Sequence, residues 1–214
     1  MRAAFALLIL SAACNGADDQ YQISGYTMTS FFPFDGDRTW EFTSTDEARA
    51  HYLIASLDPE FQTLEDGTTV HEISYDLQCI DPNDEACEDA WVRSLVWSVN
   101  RIEGIAIREV HAPDGDVVFD EPVYIAADEM TVGDSVTSGG FTSTFESIDP
   151  CPVLLSDDWD TCAHLVLSGG TELAGTHLNG EYWAVSNFNV VSMTIDSDGG
   201  EQWQLSGQTY VPTR

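Results

Sequence analysis

The chain has 214 residues, 43% of them hydrophobic, which is enough for a buried core in a single domain. Acidic residues outnumber basic ones by 37 to 7, every basic residue is an arginine, and the formal net charge is −30. A balance this acidic argues against nucleic-acid binding and against direct docking on anionic lipid, because both need basic patches. We expect a solvated acidic surface that keeps the protein soluble.

Residues 1–13 have the layout of a secretory signal peptide. Arg2 supplies positive charge beside the amino terminus, an unbroken apolar run follows at Ala3–Leu10, and residues 11–13 are small. The run is too short to cross a bilayer, and no run of about 18 apolar residues follows it. We therefore expect an exported protein.

The segment Ser11-Ala12-Ala13-Cys14 resembles the lipobox of bacterial lipoproteins. Both small positions and the cysteine match, whereas Ser11 stands where leucine is usual. The resemblance implies that Cys14 carries a lipid and that residues 14–22 are a polar tether to a domain of residues 23–214. The protein would then be anchored to a membrane of the bacterial cell envelope. Without lipidation, a general signal peptidase would cut nearby, since Ser11 and Ala13 also fit its rule.

The residue after the lipobox cysteine bears on which membrane holds the protein. Asn15 stands where enteric bacteria use aspartate to retain lipoproteins in the inner membrane. The resemblance therefore favours the outer membrane over the inner one.

The cysteine count agrees with lipidation. Five cysteines are present, an odd number for an exported chain in which disulfides persist. Four remain once Cys14 is set aside, and four cysteines allow three pairings. We predict the local map, Cys79 with Cys87 and Cys151 with Cys162, because each pair brackets a short polar loop between predicted strands.

Frequent turn signals divide the rest of the chain into short segments that alternate as strands do. In the segment of residues 91–99, for example, Leu95, Trp97 and Val99 share a face. We predict an all-β single domain with at most one or two short helices. The segment after Thr45 is ambiguous, because it fits either a helix capped by Thr45 or a strand through Tyr52 and Ile54. The signals include Asp35-Gly36, Asp66-Gly67, Asp114-Gly115, Gly133-Asp134, Gly139-Gly140, Gly169-Gly170 and Gly199-Gly200.

A second resemblance is carried by Phe31-Phe32-Pro33-Phe34 with Trp40-Glu41-Phe42, and later by Trp159-Asp160-Thr161-Cys162 and Tyr182-Trp183-Ala184. These segments are similar to the opening and closing motifs of a broad group of bacterial lipoproteins. The resemblance implies an antiparallel sheet curled into a partial barrel. The biochemistry of that group is mostly unassigned, so it implies no catalytic residue here.

No catalytic constellation stands out. Gly133-Asp134-Ser135 is similar to the nucleophile block of GDSL-type esterases, but no Asp-x-x-His segment supplies its partners, and we predict a turn there. The five histidines are scattered, without metal-binding spacing, and we expect them to be exposed or half-buried. Asp196, Asp198 and Glu201 offer oxygen ligands around a glycine turn and form a weak calcium site at most. We expect no other cofactor.

These patterns favour a cell-envelope lipoprotein with a binding or structural role rather than an enzyme, and they identify no ligand. The alternative is a surface module that recognises carbohydrate or calcium-bridged partners. The six tryptophans invite that alternative, although most lie on the apolar face of their predicted strands. A hydrophobic cavity between a curled sheet and a covering element would instead favour a lipid or another apolar ligand.

Overall fold

The computed structural model describes residues 28–45, 52–78, 92–152, 161–170, 177–186, 189–195 and 201–211. They form a 3-10 helix, Met28–Phe31, and twelve strands of one antiparallel sheet, which confirms the predicted all-β class. The strands are β1 Asp37–Ser44, β2 Tyr52–Thr63, β3 Thr69–Gln78, β4 Ser94–Asn100, β5 Gly104–Ala112, β6 Gly115–Ala127, β7 Ser135–Ser138, β8 Phe141–Asp149, β9 Cys162–Gly169, β10 Gly180–Val185, β11 Asn189–Ile195 and β12 Glu201–Val211.

The sheet is a meander that curls almost into a closed, barrel-like shape. Every strand except β6 and β7 pairs with both of its neighbours in the chain, and β1 pairs with β12, so the first and last strands join. The pairing is interrupted at one place, between β6 and β7. We call this interruption the seam.

Side chains bridge the seam in place of a strand ladder. The backbone N–H of Tyr124 donates to Ser138 Oγ at 2.7 Å, and the buried Ser143 hydroxyl donates to the carbonyl of Ile125 at 2.5 Å. Gly139 lies so close to β6 that a Cβ there would fall 2.7 Å from a methyl group of Val123. The two edges of the sheet are therefore in contact.

Alternation within the strands places apolar residues inside. In β2, Leu53, Ala55 and Leu57 are buried, so the ambiguous segment after Thr45 is a strand from Tyr52 onward. Leu95 and Trp97 of β4 are buried as predicted. The largest fully buried side chains come from around the whole sheet and include Trp40, Trp203, Phe32, Phe141, Phe145 and Met28.

Residues 28–34, here called the plug, cross one end of the barrel. The N–H of Met28 donates to the carbonyl of Asp128 at 3.0 Å, and Ser30 Oγ lies 3.4 Å from Ser186 Oγ. Phe32 then packs against Trp97, with ring centroids 6.2 Å apart. The plug thus ties β6 and β10 to the interior before β1 begins.

Residues 177–179, here called the cap, lie at the opposite end, just before β10. Leu178 is buried, and its carbonyl accepts a hydrogen bond of 2.5 Å from the Tyr182 hydroxyl. His177 Nε2 lies 2.9 Å from Asp114 Oδ1 in the β5–β6 hairpin. Both ends of the barrel are therefore covered by chain segments of this protein.

Local turn signals were good guides to the connections. The β5–β6 hairpin turns at Pro113-Asp114, where the Asp-Gly signal predicts it, and Gly115 has a φ of 145°. Asn189, a residue that tolerates positive φ, has a φ of 84°. The predicted bond between Cys151 and Cys162 is present, with Cα atoms 4.9 Å apart. No helix among the described residues is long and apolar enough to cross a membrane.

Candidate functional site

The barrel encloses a cavity of about 50 Å³ between the plug and the cap. Phe32 of the plug and His177 and Leu178 of the cap contribute to its wall, so it lies along the axis of the barrel. The remaining wall is supplied by β1–β6, β10 and β11, with Val92 just before β4, and is mostly aliphatic and aromatic: Trp40, Phe42, Ala55, Ile73, Tyr75, Val92, Leu95, Trp97, Ile107, Ile125, Tyr182, Asn189, Val190, Met193 and Ile195.

The cavity wall carries a buried hydrogen-bond donor that is not satisfied. Trp97 is 7% exposed, and its indole N–H makes no hydrogen bond of normal geometry with any described residue. Burial raises the pKa of the Tyr75 hydroxyl, and the neighbouring Trp97 indole opposes part of that rise. The indole N–H and the phenol are therefore close together, and both residues line the cavity.

None of the described residues in the wall carries a permanently charged side chain. His177 is its one ionisable nitrogen base, and its Nε2 is already held by Asp114. An anion inside would lose its hydration and find no cation in return. The cavity is therefore suited to neutral molecules.

The volume limits what can occupy the cavity. At 10–15 Å³ per water-sized group, the space of about 50 Å³ holds about three to five such groups. Waters need two to four polar partners each, and this wall offers few. A small apolar molecule with one polar atom matches the wall better than a cluster of waters does.

A series of aromatic contacts connects the plug end to Trp97 in the cavity wall. Phe61, which is 61% exposed, stacks on His71 with centroids 5.2 Å apart, and Phe34 of the plug stacks on His71 at 5.1 Å. Phe34 in turn lies 5.9 Å from Trp97. His71 is buried, contrary to the expectation of exposed or half-buried histidines, and burial lowers its pKa below the usual 6.5.

A polar cluster lies on the outer face of β8, β9 and β10. His164 and Trp183 stack almost in parallel, with centroids 4.6 Å apart. Glu181 Oε2 lies 3.4 Å from His164 Nε2, and Ser147 Oγ lies 3.5 Å from Nδ1. A bulge between Phe145 and Ser147 turns Ser147 outward beside the histidine. We call Ser147, Asp149, His164, Glu181 and Trp183 the outer cluster.

The outer cluster contains a serine, a histidine and an acid, yet its geometry is unsuited to nucleophilic catalysis. The Ser147 hydroxyl donates a short hydrogen bond to Asp149, so its proton is directed away from His164. Glu181 and Asp149 are about half exposed on an open strand surface. Acyl transfer needs a nucleophile whose proton faces the base. The cluster instead offers an aromatic pair with carboxylates on either side.

Several predicted site residues lie outside the described residues. These are Cys14, Cys79, Cys87, Asp196 and Asp198; the side chain of Glu201, which begins β12, is not described either. In the described ranges, no group of three or more His, Cys, Asp or Glu side chains is placed to hold a metal ion. The Cys151–Cys162 bond lies next to the outer cluster, because Asp149 pairs with Cys162.

The esterase-like block is a turn, as predicted. Gly133 has a φ of 93°, and Asp134 accepts hydrogen bonds of 2.8 Å from the backbone N–H and the hydroxyl of Thr131. The backbone N–H of Thr131 lowers the pKa of Asp134. Ser135 lies 2.9 Å from the Thr144 hydroxyl, on the exposed side of β7.

Sequence reasoning found part of this site. Trp97 was predicted to face the core, and it does, but its unpartnered N–H had no sequence signal. Trp183 was expected on an apolar strand face; it lies on the outer face instead, because Tyr182 beside it lines the cavity. A bulge at Trp183 and Ala184 shifts the pairing of β10 with β11, which a regular period of two does not reveal.

Compared with protein-family models, curated proteins and solved structures, the chain matches none.

Proposed function

We propose that this protein is a lipid-anchored binding protein of the bacterial cell envelope that holds a small apolar molecule in its interior and catalyses no reaction. The observation that carries the proposal is the apolar cavity with the unpartnered Trp97 N–H in its wall. Apolar pockets with a few convergent polar groups are the usual form of small-molecule sites.

The unfilled cavity supports binding over a purely structural role. A void in a packed core loses the contacts that its lining could make, so a structural barrel gains stability by filling it. Here aromatic and aliphatic side chains from at least seven strands leave the space open. An occupant would restore those contacts and would also give the Trp97 N–H an acceptor.

Xenon tests whether the cavity accepts an apolar occupant. Crystals pressurised with xenon should show the atom between Trp97 and Leu178, because xenon enters dry apolar cavities. Ala55→Val adds methyl groups to the cavity wall and should reduce xenon occupancy. Ala163→Val is the matched control, since Ala163 is equally buried but does not line the cavity. A cavity that takes up only ordered water, with or without xenon, would refute the proposal.

A second candidate function is carbohydrate recognition at the outer cluster. Sugars stack on aromatic rings and donate hydroxyl hydrogen bonds to carboxylates. Trp183 is half-buried there, and the carboxylates of Asp149 and Glu181 are each about half exposed beside it. This arrangement favours carbohydrate over calcium-bridged partners, although it is shallower than the interior cavity.

Titration with two trisaccharides separates this candidate from the first. Maltotriose or the trimer of N-acetylglucosamine should shift the nuclear magnetic resonance signal of the Trp183 indole. Trp183→Ala should abolish that binding and leave xenon uptake intact. If neither sugar perturbs the Trp183 signal at millimolar concentration, the outer cluster is not a site for such sugars.

A further inference from the structure

We infer that the cavity selects a neutral molecule carrying one hydrogen-bond-accepting oxygen, such as a ketone, ester or ether, which the Trp97 N–H binds beside the Tyr75 hydroxyl. This inference rests on the proposed function, and it names the chemical class of the ligand.

The need for an acceptor comes from the indole of Trp97. Its nitrogen is buried away from water, and the neighbouring Tyr75 hydroxyl is not placed to accept from it with normal hydrogen-bond geometry. Buried donors are nearly always satisfied in folded proteins, so such an exception calls for an occupant. An indole N–H only donates, and the occupant must therefore accept.

Tyr75 adds a second polar contact at the same spot. Its hydroxyl is kept protonated, because burial raises its pKa, so it remains a donor at any physiological pH. A carbonyl oxygen has two lone pairs and can accept from an indole and a phenol together. A hydrocarbon has no acceptor atom, so it would form no hydrogen bond with the Trp97 N–H or the Tyr75 hydroxyl.

The charges of the protein disfavour negatively charged ligands of similar size, such as carboxylates. The described residues of the cavity wall include no arginine, lysine, aspartate or glutamate, and the overall charge of −30 repels anions further. His177 could only attract an anion by giving up Asp114, with which it already pairs. A carboxylate of the same size should therefore bind far more weakly than a ketone.

Three molecules with the same five-atom skeleton test this class: 2-butanone, 2-methylbutane and propanoate. 2-Methylbutane has a methyl group in place of the carbonyl oxygen of 2-butanone, and propanoate has the second carboxylate oxygen in place of the methyl group on its carbonyl carbon. Calorimetry or thermal shift on the full-length protein should rank 2-butanone above 2-methylbutane by about tenfold in affinity, the value of one hydrogen bond. Propanoate should show no binding.

Variants assign the selectivity to Trp97. Trp97→Phe keeps a ring in the wall and removes the N–H, so the preference for 2-butanone should fall to less than about threefold while 2-methylbutane still binds. Trp183→Phe, on the outer face, is the matched control and should keep the full preference. In the wild type, 2-butanone should shift the indole N–H resonance of Trp97, and 2-methylbutane should not shift it downfield.

The outcomes distinguish a failure of this ligand class from a failure of the proposed binding function. Equal affinity for 2-butanone and 2-methylbutane, unaffected by Trp97→Phe, would overturn this inference and leave the apolar binding function standing. Tighter binding of propanoate than of 2-butanone would also overturn it. If none of the three molecules binds and xenon stays out, the proposed function itself fails.

Discussion

His177 and Asp114 form a hydrogen bond across the cap end of the barrel, with Nε2 and Oδ1 2.9 Å apart. His177 precedes β10 and Asp114 turns the β5–β6 hairpin, so the bond joins parts of the sheet that are not neighbouring strands. Leu178, next to His177, is 1% exposed and lines the cavity. The cap therefore combines one polar contact at the surface with one apolar contact inside.

The two contacts of the cap should contribute very different amounts to the free energy of unfolding. Leu178→Ala should lower the free energy of unfolding by about 2–4 kcal/mol, because it enlarges an existing cavity. Asp114→Asn should cost less than about 1 kcal/mol, since Asp114 is 52% exposed and its interaction with His177 is screened by water. Urea unfolding followed by circular dichroism measures both. An equal loss for the two variants would contradict this division.

The stack of Phe34 and Phe61 on His71 predicts a pH dependence of stability. Burial lowers the pKa of His71 in the folded state below 6.5, so the unfolded chain binds the proton first as the pH falls. Stability should therefore be full above pH 6.5 and decline as the pH falls below it, down to the folded-state pKa. The lowered pKa values of Asp66 and Asp134 act in a separate window, below about pH 3.8.

His71→Phe isolates this effect, because it keeps an aromatic ring in the stack and removes the titrating group. The free energy of unfolding of this variant should vary less between pH 6.5 and 5 than that of the wild type. His111→Gln, outside the stack, is the control for the loss of one histidine. A wild-type slope that survives in His71→Phe would show that other groups govern stability in this range.

The seam should depend on two serines. Ser143→Ala leaves the buried Ile125 carbonyl without its partner and should cost about 1–3 kcal/mol. Ser138→Ala removes the acceptor of the Tyr124 N–H, with a similar cost. Ser135→Ala, on the exposed side of the same short strand, should change stability by less than about 0.5 kcal/mol. The rate of hydrogen exchange at the Tyr124 amide measures directly how often the seam opens. If this amide is as well protected in Ser138→Ala as in the wild type, the Ser138 hydroxyl does not hold the seam closed.

The sequence was sufficient for features that depend on neighbouring residues. The hairpin at Asp114-Gly115, the left-handed Asn189 and the bond between Cys151 and Cys162 all follow from local chemistry, and all are present. The apolar pattern of the strand beginning at Tyr52 fits a helix equally well, so the sequence alone does not decide between them. Pairing with β1 and β3 on both sides decides it.

Closure and the cavity depend on contacts that no local pattern encodes. Thr29 donates a hydrogen bond to Asp128, and the Ser30 hydroxyl lies within hydrogen-bond distance of the Ser186 hydroxyl. Ser30 and Ser186 are separated by more than half of the chain. The outward turn of Ser147 results from a bulge, which inserts one residue without a clear signal. The Trp97 indole was predictable as a core group, but its missing partner becomes evident only when the whole wall is assembled.

The lipid anchor remains a prediction that a labelling experiment can decide. A bacterium fed labelled palmitate should incorporate label into the wild-type protein and none into Cys14→Ser. The labelled protein should fractionate with membranes, and with the outer membrane if Asn15 has the expected effect. A wild-type protein that takes up no label and is recovered in the periplasm would rule out the anchor and the membrane location together.

The predicted disulfide map has one bond present and one, between Cys79 and Cys87, that lies outside the described residues. Closing a loop as short as that between Cys151 and Cys162 should stabilise the fold by about 2.5–3 kcal/mol through the entropy of the unfolded chain. The double variant Cys151→Ala/Cys162→Ala should therefore unfold at lower urea concentration. Non-reducing peptide mapping should find a second local disulfide, between Cys79 and Cys87, because exported chains rarely keep free thiols. Cys14 should take part in neither disulfide. A crosslink between either of these cysteines and Cys14 would contradict both the map and the lipid anchor, since a cysteine sulfur in a disulfide cannot carry a thioether-linked lipid.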